Sequence, residues 1–237
     1  MKHSRILQIV ILFIFFISSN QLSSQIEPGV YLSEQENETH ELKINSSYFV
    51  HSVYEKSPAR FIKTSGGFYT TENDTLKVVL EFHSNYKLDS LSTLNFPYKI
   101  ENANLIIQGN NEITFNQQVK IHQDLDGQWL FGTRGPDTGQ ERRGEANTRK
   151  TLKFLIDGRF QWIAYDTNGM QFKGTGGGSY TSKDGIYIEN IEFFSKDNSR
   201  VGASLEFNYE VKGDDWHHTG NNSKGKPMYE IWVKRKQ

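Results

Sequence analysis

The sequence contains no cysteine, only five prolines among 237 residues, and almost no net charge, at −1. Without cysteine the chain cannot form disulfides, thiolate metal sites, a cysteine nucleophile or a lipidated cysteine anchor. The balanced charge argues against electrostatic binding to nucleic acid or to an anionic membrane. The Gly-x-Ser-x-Gly, His-Glu-x-x-His and phosphate-loop patterns are also missing. We therefore expect a fold stabilised by packing, with neither a cofactor nor a metal centre.

The N-terminal residues have the composition of an export signal. Lys2 and Arg5 provide a basic start, and Ile6–Ile17 is apolar except for one glutamine. This run of about 12 residues is shorter than the roughly 20 that a membrane-spanning helix needs. We expect a signal peptide over residues 1–25, no integral membrane span after its cleavage, and an exported chain, periplasmic or secreted, starting near Ile26. An uncleaved anchor is the alternative.

One stretch of the sequence occurs twice, with a constant separation of 111 residues. Residues 49–98 align without a gap with residues 160–209, and 14 of the 50 positions are identical. The clearest echo is Gly66–Thr70, which returns as Gly177–Thr181 with one change between the two glycines and the tyrosine. A gapless match of this length indicates an internal duplication.

Both copies consist of short alternating runs of apolar and polar residues, with almost no helical periodicity. Asp157-Gly158 and Asp184-Gly185 stand between apolar runs, as tight hairpin turns require. Each copy offers about eight strands, which can close into a barrel and remove exposed edges. The prediction is an all-β fold of antiparallel up-and-down meanders.

The duplication predicts two eight-stranded β-barrels in tandem. The first would span residues 26–118, a linker residues 119–126, and the second residues 127–237. One sheet system assembled from two half-repeats is the alternative layout.

The second copy begins with Gly127-Gln128-Trp129, a Gly-x-Trp sequence on a predicted first strand. With the eight-stranded meander, it resembles the lipocalin-like, or calycin, superfamily, and the whole mature chain is similar to exported bacterial lipocalin-like proteins. The closing segment 216–232 fits that type, whereas the first copy has Tyr31 in place of the tryptophan. The resemblance implies a barrel with a ligand cavity at one end and no particular ligand.

The second copy is rich in aromatic residues that could line such a cavity. Trp129, Trp162, Tyr180 and Trp216 are candidate ligand-binding residues, because their rings can stack on sugars or pack on apolar molecules. Core packing is the alternative for each, since aromatic side chains mostly fill the interior of small barrels.

His217 and His218 directly follow Trp216, and both are candidates for ligand contact or for acid–base chemistry near neutral pH. Adjacent strand residues point to opposite faces, so only one of the two histidines can face a cavity. This alternation argues against a shared metal site, and surface exposure is the alternative for both.

A charged, glycine-rich segment at residues 132–145 lengthens the second copy and is either a binding loop or solvated surface. Its Arg134 and Arg143 are candidate ligand-binding residues, because guanidinium groups suit carboxylate or sulfate groups. Glu192 is a further candidate. The alternation of the second copy points Glu192 inward, whereas that of the first copy points the corresponding Glu81 outward, so the two copies conflict.

These observations favour an exported, non-enzymatic protein that binds a small apolar or sugar-like molecule, mainly in the second barrel. One alternative is a small β-barrel lyase, isomerase or hydrolase acting on carbohydrates, with His217 or His218 as acid–base group and Glu192 or Arg143 assisting. The other is an envelope interaction module with a protein partner. A nucleic-acid partner is not expected.

Overall fold

A computed structural model describes residues 25–109, 111–222 and 225–236, so the predicted signal peptide lies outside the described residues except for Gln25. The first barrel consists of β1 (Gly29–Gln35), β2 (Glu38–Ile44), β3 (Tyr48–Lys56), β4 (Ala59–Glu72), β5 (Thr75–His83), β6 (Thr93–Glu101), β7 (Asn104–Gln108) and β8 (Glu112–Gln117). The second consists of β9 (Gly127–Arg134), β10 (Arg149–Ile156), β11 (Arg159–Asp166), β12 (Gln171–Lys183), β13 (Ile186–Phe194), β14 (Ser204–Lys212), β15 (Asp215–Asn221) and β16 (Pro227–Lys234). Short helical turns occur at α1 (Tyr86–Asp89) and at Asn198–Arg200.

Each set of eight strands closes on itself. Consecutive strands pair antiparallel, β1 also pairs with β8, and β9 also pairs with β16. Closure gives every strand two neighbours and removes the exposed edges of an open sheet. The predicted fold class, two antiparallel eight-stranded barrels in tandem, is confirmed, and the alternative of one shared sheet system is wrong.

Paired glycines bend the longest strands of both barrels. The register between β4 and β5 shifts from Gly66 to Gly67, and that between β12 and β13 shifts from Gly177 to Gly178. A Cβ atom on Gly67 would lie 1.9 Å from the backbone oxygen of Val79, so no side chain fits there. These mid-strand glycines therefore form bulges, as glycine inside a strand indicates.

The segment predicted as a linker, residues 119–126, covers one end of the second barrel. Leu125 is fully buried in the core of that barrel. The backbone N–H of Leu125 donates to Ser182 Oγ at 3.0 Å. The loop 135–148 joins β9 to β10 at the opposite end and contains most of the extra segment 132–145. We call it the inserted loop, and we call the end that carries it the open end of the second barrel.

The two barrels pack side by side through the outer faces of β3–β5 and β11–β13. Tyr54 stacks on Phe193 with ring centroids 4.6 Å apart, and Phe82 meets Tyr165 at 5.2 Å. In the repeat, Tyr54 corresponds to Tyr165 and Phe82 corresponds to Phe193. Exchanging the two copies therefore turns one contact into the other. Such reciprocal contacts are those of a two-fold interface between identical subunits, and they indicate an approximate two-fold axis between the copies.

Buried ion pairs also connect the barrels. Arg159 donates to Glu41 of the first barrel at 2.5 Å and, through two nitrogens, to Glu192 of its own barrel at 2.5 and 2.9 Å. Arg235 donates to both carboxylate oxygens of Glu81 at 2.9 Å each. Burial alone would raise the pKa of Glu41, but the neighbouring cations lower it to about 2. The carboxylate therefore stays ionised inside the interface.

Candidate functional site

Four ionisable side chains face the lumen of the second barrel. They are Lys153 of β10, Glu189 of β13, His218 of β15 and Glu230 of β16, and all four line one cavity. Lys153 and Glu189 are each 5% exposed and His218 is 2% exposed. Burying a charged side chain is unfavourable unless an opposite charge or hydrogen bonds compensate it, so the partners of these four groups determine their charge states.

The corresponding positions of the first barrel are all aliphatic. The repeat and the strand pairing relate Leu42, Val78, Ile107 and Ile113 of the first barrel to Lys153, Glu189, His218 and Glu230 of the second. The aliphatic residues belong to the core of the first barrel or pack against it. The same scaffold thus closes with aliphatic residues at these four positions, and the histidines of the first lumen, His40 and His51, lie elsewhere, against Phe115. The group of four ionisable side chains is therefore not a requirement of the fold.

Lys153 is held by a carboxylate and three aromatic rings. Its Nζ lies 2.8 Å from Glu189 Oε1 and 4.9, 4.8 and 5.1 Å from the ring centroids of Tyr187, Trp216 and Trp232. The hydroxyl of Tyr187 donates to the same Glu189 oxygen at 2.7 Å. Aromatic faces and a carboxylate both stabilise a cation, so the lumen contains a compensated positive charge.

His218 is buried without a hydrogen-bond partner on either ring nitrogen among the described residues. Its Nδ1 is 3.7 Å from Glu230 Oε2, beyond hydrogen-bond distance, and that oxygen accepts from Trp232 Nε1 at 3.1 Å. Burial, together with Lys153, lowers the pKa of His218 to about 4, so the ring is neutral at pH 7. Unpaired buried polar atoms are rare, and these two nitrogens can bond to a bound molecule.

The lumen contains space beside these groups. A cavity of about 230 Å³ is lined by the four ionisable side chains together with Thr151, Trp162 and Trp232. A second cavity of about 350 Å³ shares Trp162 and Glu189 with the first and extends to Arg200. Sites for small molecules usually measure roughly 300–1,000 Å³, so the combined space suits a small ligand.

Replacing His218 with phenylalanine is expected to remove a pH-dependent part of the stability. The pKa of about 4 in the folded state lies below the 6.5 of the unfolded chain, so the unfolded chain binds the proton first as pH falls. Wild-type stability is then lost between pH 6.5 and pH 4, by about 3 kcal/mol from this residue. In urea denaturation, the variant should gain that amount relative to wild type across this range. Parallel pH profiles would contradict this assignment.

The aromatic residues predicted as ligand contacts all face the second lumen, but at different depths. Trp162 lines both cavities. Trp216 lies deeper, against the ring of His218. Trp129 and Tyr180 donate hydrogen bonds to the segment 119–126 at the closed end. Trp129 and Tyr180 are therefore core residues, which was the alternative given for them, whereas Trp162 borders the open space.

The alternation of β15 separates the two adjacent histidines. His218 points into the lumen, and His217 lies on the outer side, where its Nδ1 is 2.8 Å from the hydroxyl of Tyr229. The expectation that only one of the pair can face a cavity agrees with this arrangement. His217, a predicted site residue, is therefore outside the candidate site.

Glu192 also lies outside the lumen, and the inward orientation inferred from the second copy is corrected. The inner face of β13 presents Tyr187, Glu189 and Ile191, whereas Glu192 binds Arg159 beside the first barrel. The apolar alternation was misleading because two half-buried isoleucines, Ile186 and Ile188, lie on the outer face of this strand.

Lys153, Glu189 and Glu230 were not among the predicted site residues. A signal for two of them was present in the sequence. The gapless repeat sets Glu189 against Val78, and the same offset of 111 residues, continued just before the repeat, sets Lys153 against Leu42. In both cases one copy has a charged residue where the other has an aliphatic one. Such differences within a duplicated pattern indicate positions that the fold alone does not require.

The inserted loop borders the open end of the lumen. Arg134 and Arg143 line a cleft of about 400 Å³ there, together with Phe131. The guanidinium carbon of Arg143 lies 4.6 Å from the centre of the Phe131 ring. The Phe131 ring in turn meets Trp232 edge-on at 5.5 Å. Both predicted arginines are therefore close to the cavity, although neither enters it.

Comparison with protein-family models gives no match, and comparison with curated proteins gives none either. Within the described part of the chain, no helix is long and apolar enough to cross a membrane. The same residues include no group of three or more histidine, aspartate or glutamate side chains arranged to hold a metal ion.

Proposed function

We propose that the protein is an exported, lipocalin-like protein that binds a small molecule in its second barrel. The contrast between the two lumens is the observation that supports this most directly. Lys153, Glu189, His218 and Glu230 occupy positions where the first barrel is aliphatic. Burying such groups is unfavourable relative to an aliphatic set, and a binding role accounts for their presence.

A hydroxylated ring suits this lumen better than a hydrocarbon chain. The carboxylates of Glu189 and Glu230 can accept hydrogen bonds from hydroxyl groups, and the free nitrogens of His218 can donate one and accept another. Trp162 offers an aromatic face to the ring. A purely apolar ligand would displace water from these groups without replacing its hydrogen bonds. Of the two ligand types expected from the sequence, the sugar-like one is favoured.

The double variant Lys153→Leu, Glu189→Val tests the proposal. It replaces two residues of the second lumen with the residues found at the corresponding positions of the first. Binding of a panel of neutral and acidic oligosaccharides, measured by isothermal titration calorimetry, should weaken at least about tenfold, which is the effect of losing roughly one charge-assisted hydrogen bond. Stability should be unchanged or higher, because apolar replacement of both members of a buried ion pair is often neutral or stabilising by about 1–4 kcal/mol.

The control for this variant is His217→Ala, on the outer side of the same barrel. It should leave binding unchanged, since His217 does not border the cavity. Unaltered binding by the lumen variant would contradict the proposal. So would the lack of any binding by the wild-type protein to oligosaccharides, lipids and haem.

A small enzyme acting on carbohydrates is the second candidate, and the proximity of His218 to Glu230 favours it. A neutral imidazole beside a carboxylate, 3.7 Å away, is suited to proton transfer once a substrate bridges them. Turnover of an oligosaccharide that is lost in His218→Phe would support this function. Tight binding without turnover by the wild-type protein would exclude it for that ligand.

Export is proposed from the composition of residues 1–25. N-terminal sequencing of the protein recovered from its native host should give a start near Ile26, in the periplasmic or secreted fraction. Recovery of the protein from the cytoplasm with residues 1–25 intact would contradict it.

A further inference from the structure

Three arginines surround the open end of the second barrel, and strand geometry places two of them on its inner side. Arg134 is paired across strands with Glu230, whose side chain lines the cavity, and residues directly opposite each other share a face. Arg149 precedes Thr151 and Lys153 by two and four positions on β10, and alternate residues share a face. Both arginines therefore stand above the lumen.

The third, Arg143, approaches from the inserted loop. Its backbone N–H donates to the oxygen of Gly132 at 2.8 Å, which fixes this part of the loop against β9. Its guanidinium lies over Phe131, and Phe131 contacts Trp232 in the cavity wall. An aromatic surface thus leads from Arg143 into the lumen. We call Arg134, Arg143 and Arg149 the rim arginines.

The rim arginines have no anionic partner within residues 25–109, 111–222 and 225–236. Among the described residues, no carboxylate lies within 4.0 Å of any of them, not even that of Glu141, which borders the same cleft. Arg142, by contrast, pairs with both Asp137 and Asp215. Burial and the nearby Arg149 lower the pKa of Arg143. The like charges of Arg143 and Arg149 thus lie near each other with no described carboxylate between them, and a bound anion would relieve their repulsion.

We infer that the second barrel binds an acidic sugar, with the sugar ring against Trp162 and the cavity groups and its carboxylate on the rim arginines. The inference rests on the binding function proposed above and names the class of its ligand. Planar guanidinium groups bind carboxylates in two-pronged hydrogen bonds. A surplus of positive charge at the entrance also attracts anions before contact.

The depth at which each charge lies determines this orientation. The cavity lining contains two carboxylates, Glu189 and Glu230, against one cation, Lys153, so its net negative charge repels a carboxylate that enters ahead of the ring. A fatty acid would satisfy the rim arginines through its carboxylate, but its chain would leave both ring nitrogens of His218 without a hydrogen-bond partner. An acidic sugar meets both sets of groups, with hydroxyls inside and an anion at the rim.

The experiment is isothermal titration calorimetry of the full protein with trigalacturonate, with the neutral trisaccharide galactotriose, and with palmitate. Trigalacturonate should bind at least tenfold more tightly than galactotriose at low salt. Replacing Arg134, Arg143 and Arg149 with glutamine together should remove this difference by weakening trigalacturonate binding at least tenfold. Arg60→Gln, which removes one arginine charge from an exposed pair on the first barrel, should leave the binding of both trisaccharides unchanged.

The other possible results separate failure of the acidic-sugar assignment from failure of the proposed binding function. Equal affinity for both trisaccharides, or full trigalacturonate affinity in the triple variant, overturns the acidic-sugar assignment and leaves the binding function standing. Palmitate binding that depends on the rim arginines, without trisaccharide binding, overturns it in favour of an apolar carboxylate. If none of the three compounds and no member of the wider panel binds, the proposed function itself fails.

Discussion

Replacing Arg159 with alanine is expected to lower the free energy of unfolding by about 3–5 kcal/mol, the usual effect of breaking a buried ion pair from one side. Arg159 connects Glu41 of the first barrel with Glu192 of the second and also donates to the hydroxyl of Tyr54 at 3.0 Å. The Glu41 side chain is 0% exposed. Without Arg159 it retains only Lys43 as a cationic partner, so most of the loss comes from a buried and poorly compensated carboxylate.

Urea denaturation followed by tryptophan fluorescence measures this effect, and it should be done at neutral pH. The pKa of Glu41 is about 2 in the folded protein against 4.5 unfolded. Its contribution to stability is therefore complete above pH 4.5 and is lost as pH falls towards 2.

The control for Arg159 is Arg60→Ala, which removes an arginine from a two-pronged but exposed pair with Glu55. That change should alter stability by less than about 1 kcal/mol. Adding Glu41→Gln to Arg159→Ala should recover part of the loss, because it removes the unpaired charge. Equal losses from Arg159→Ala and Arg60→Ala would show that the pair between the barrels contributes no more than a surface pair.

Alanine at Gly67 or at Gly178 is expected to destabilise the protein by more than about 3 kcal/mol, beyond the usual range for added volume in a core. The new Cβ would lie 1.9 Å from the backbone oxygen of Val79 in the first case and 2.0 Å from that of Asn190 in the second. Both atoms belong to the paired strand and cannot rotate away. The two strands must separate at the bulge, which breaks hydrogen bonds of the barrel on both sides.

Gly144→Ala is the matched control for these variants, because no atom lies within 4 Å of the position of its Cβ. It should change stability by no more than about 0.5 kcal/mol. Thermal unfolding of the three variants provides the comparison. Near wild-type stability of Gly67→Ala or Gly178→Ala would mean that the bulges do not require glycine.

The fold was accessible from the sequence because its evidence is local and repeated. Turn dipeptides such as Asp157-Gly158 mark strand ends. The constant spacing of the two copies predicts that both adopt the same fold. The role of residues 119–126 was not accessible. Leu125 closes the second barrel through contacts with strands that follow it in the chain, and nothing near Leu125 in sequence indicates this.

The candidate site was only partly accessible, for a reason visible on β13. Ile186 and Ile188 alternate on one face of this strand, and Tyr187 and Ile191 alternate on the other. Ile186 and Ile188 are half-buried although they lie on the outer face, so the apolar residues of this strand do not mark the inside. The direction of Glu192, and with it that of Glu189, therefore could not be decided from the strand alone.

The amino-acid order by itself determined that an ancestral unit is duplicated, that both units are antiparallel β-structures, and that His217 and His218 must point opposite ways. Only the tertiary structure decided that His218 is the inner one, that Lys153 meets Glu189, and that Arg159 reaches Glu41 in the other barrel. Strand alternation gives the relative direction of neighbouring side chains. Which direction is inside depends on the surfaces that distant strands cover.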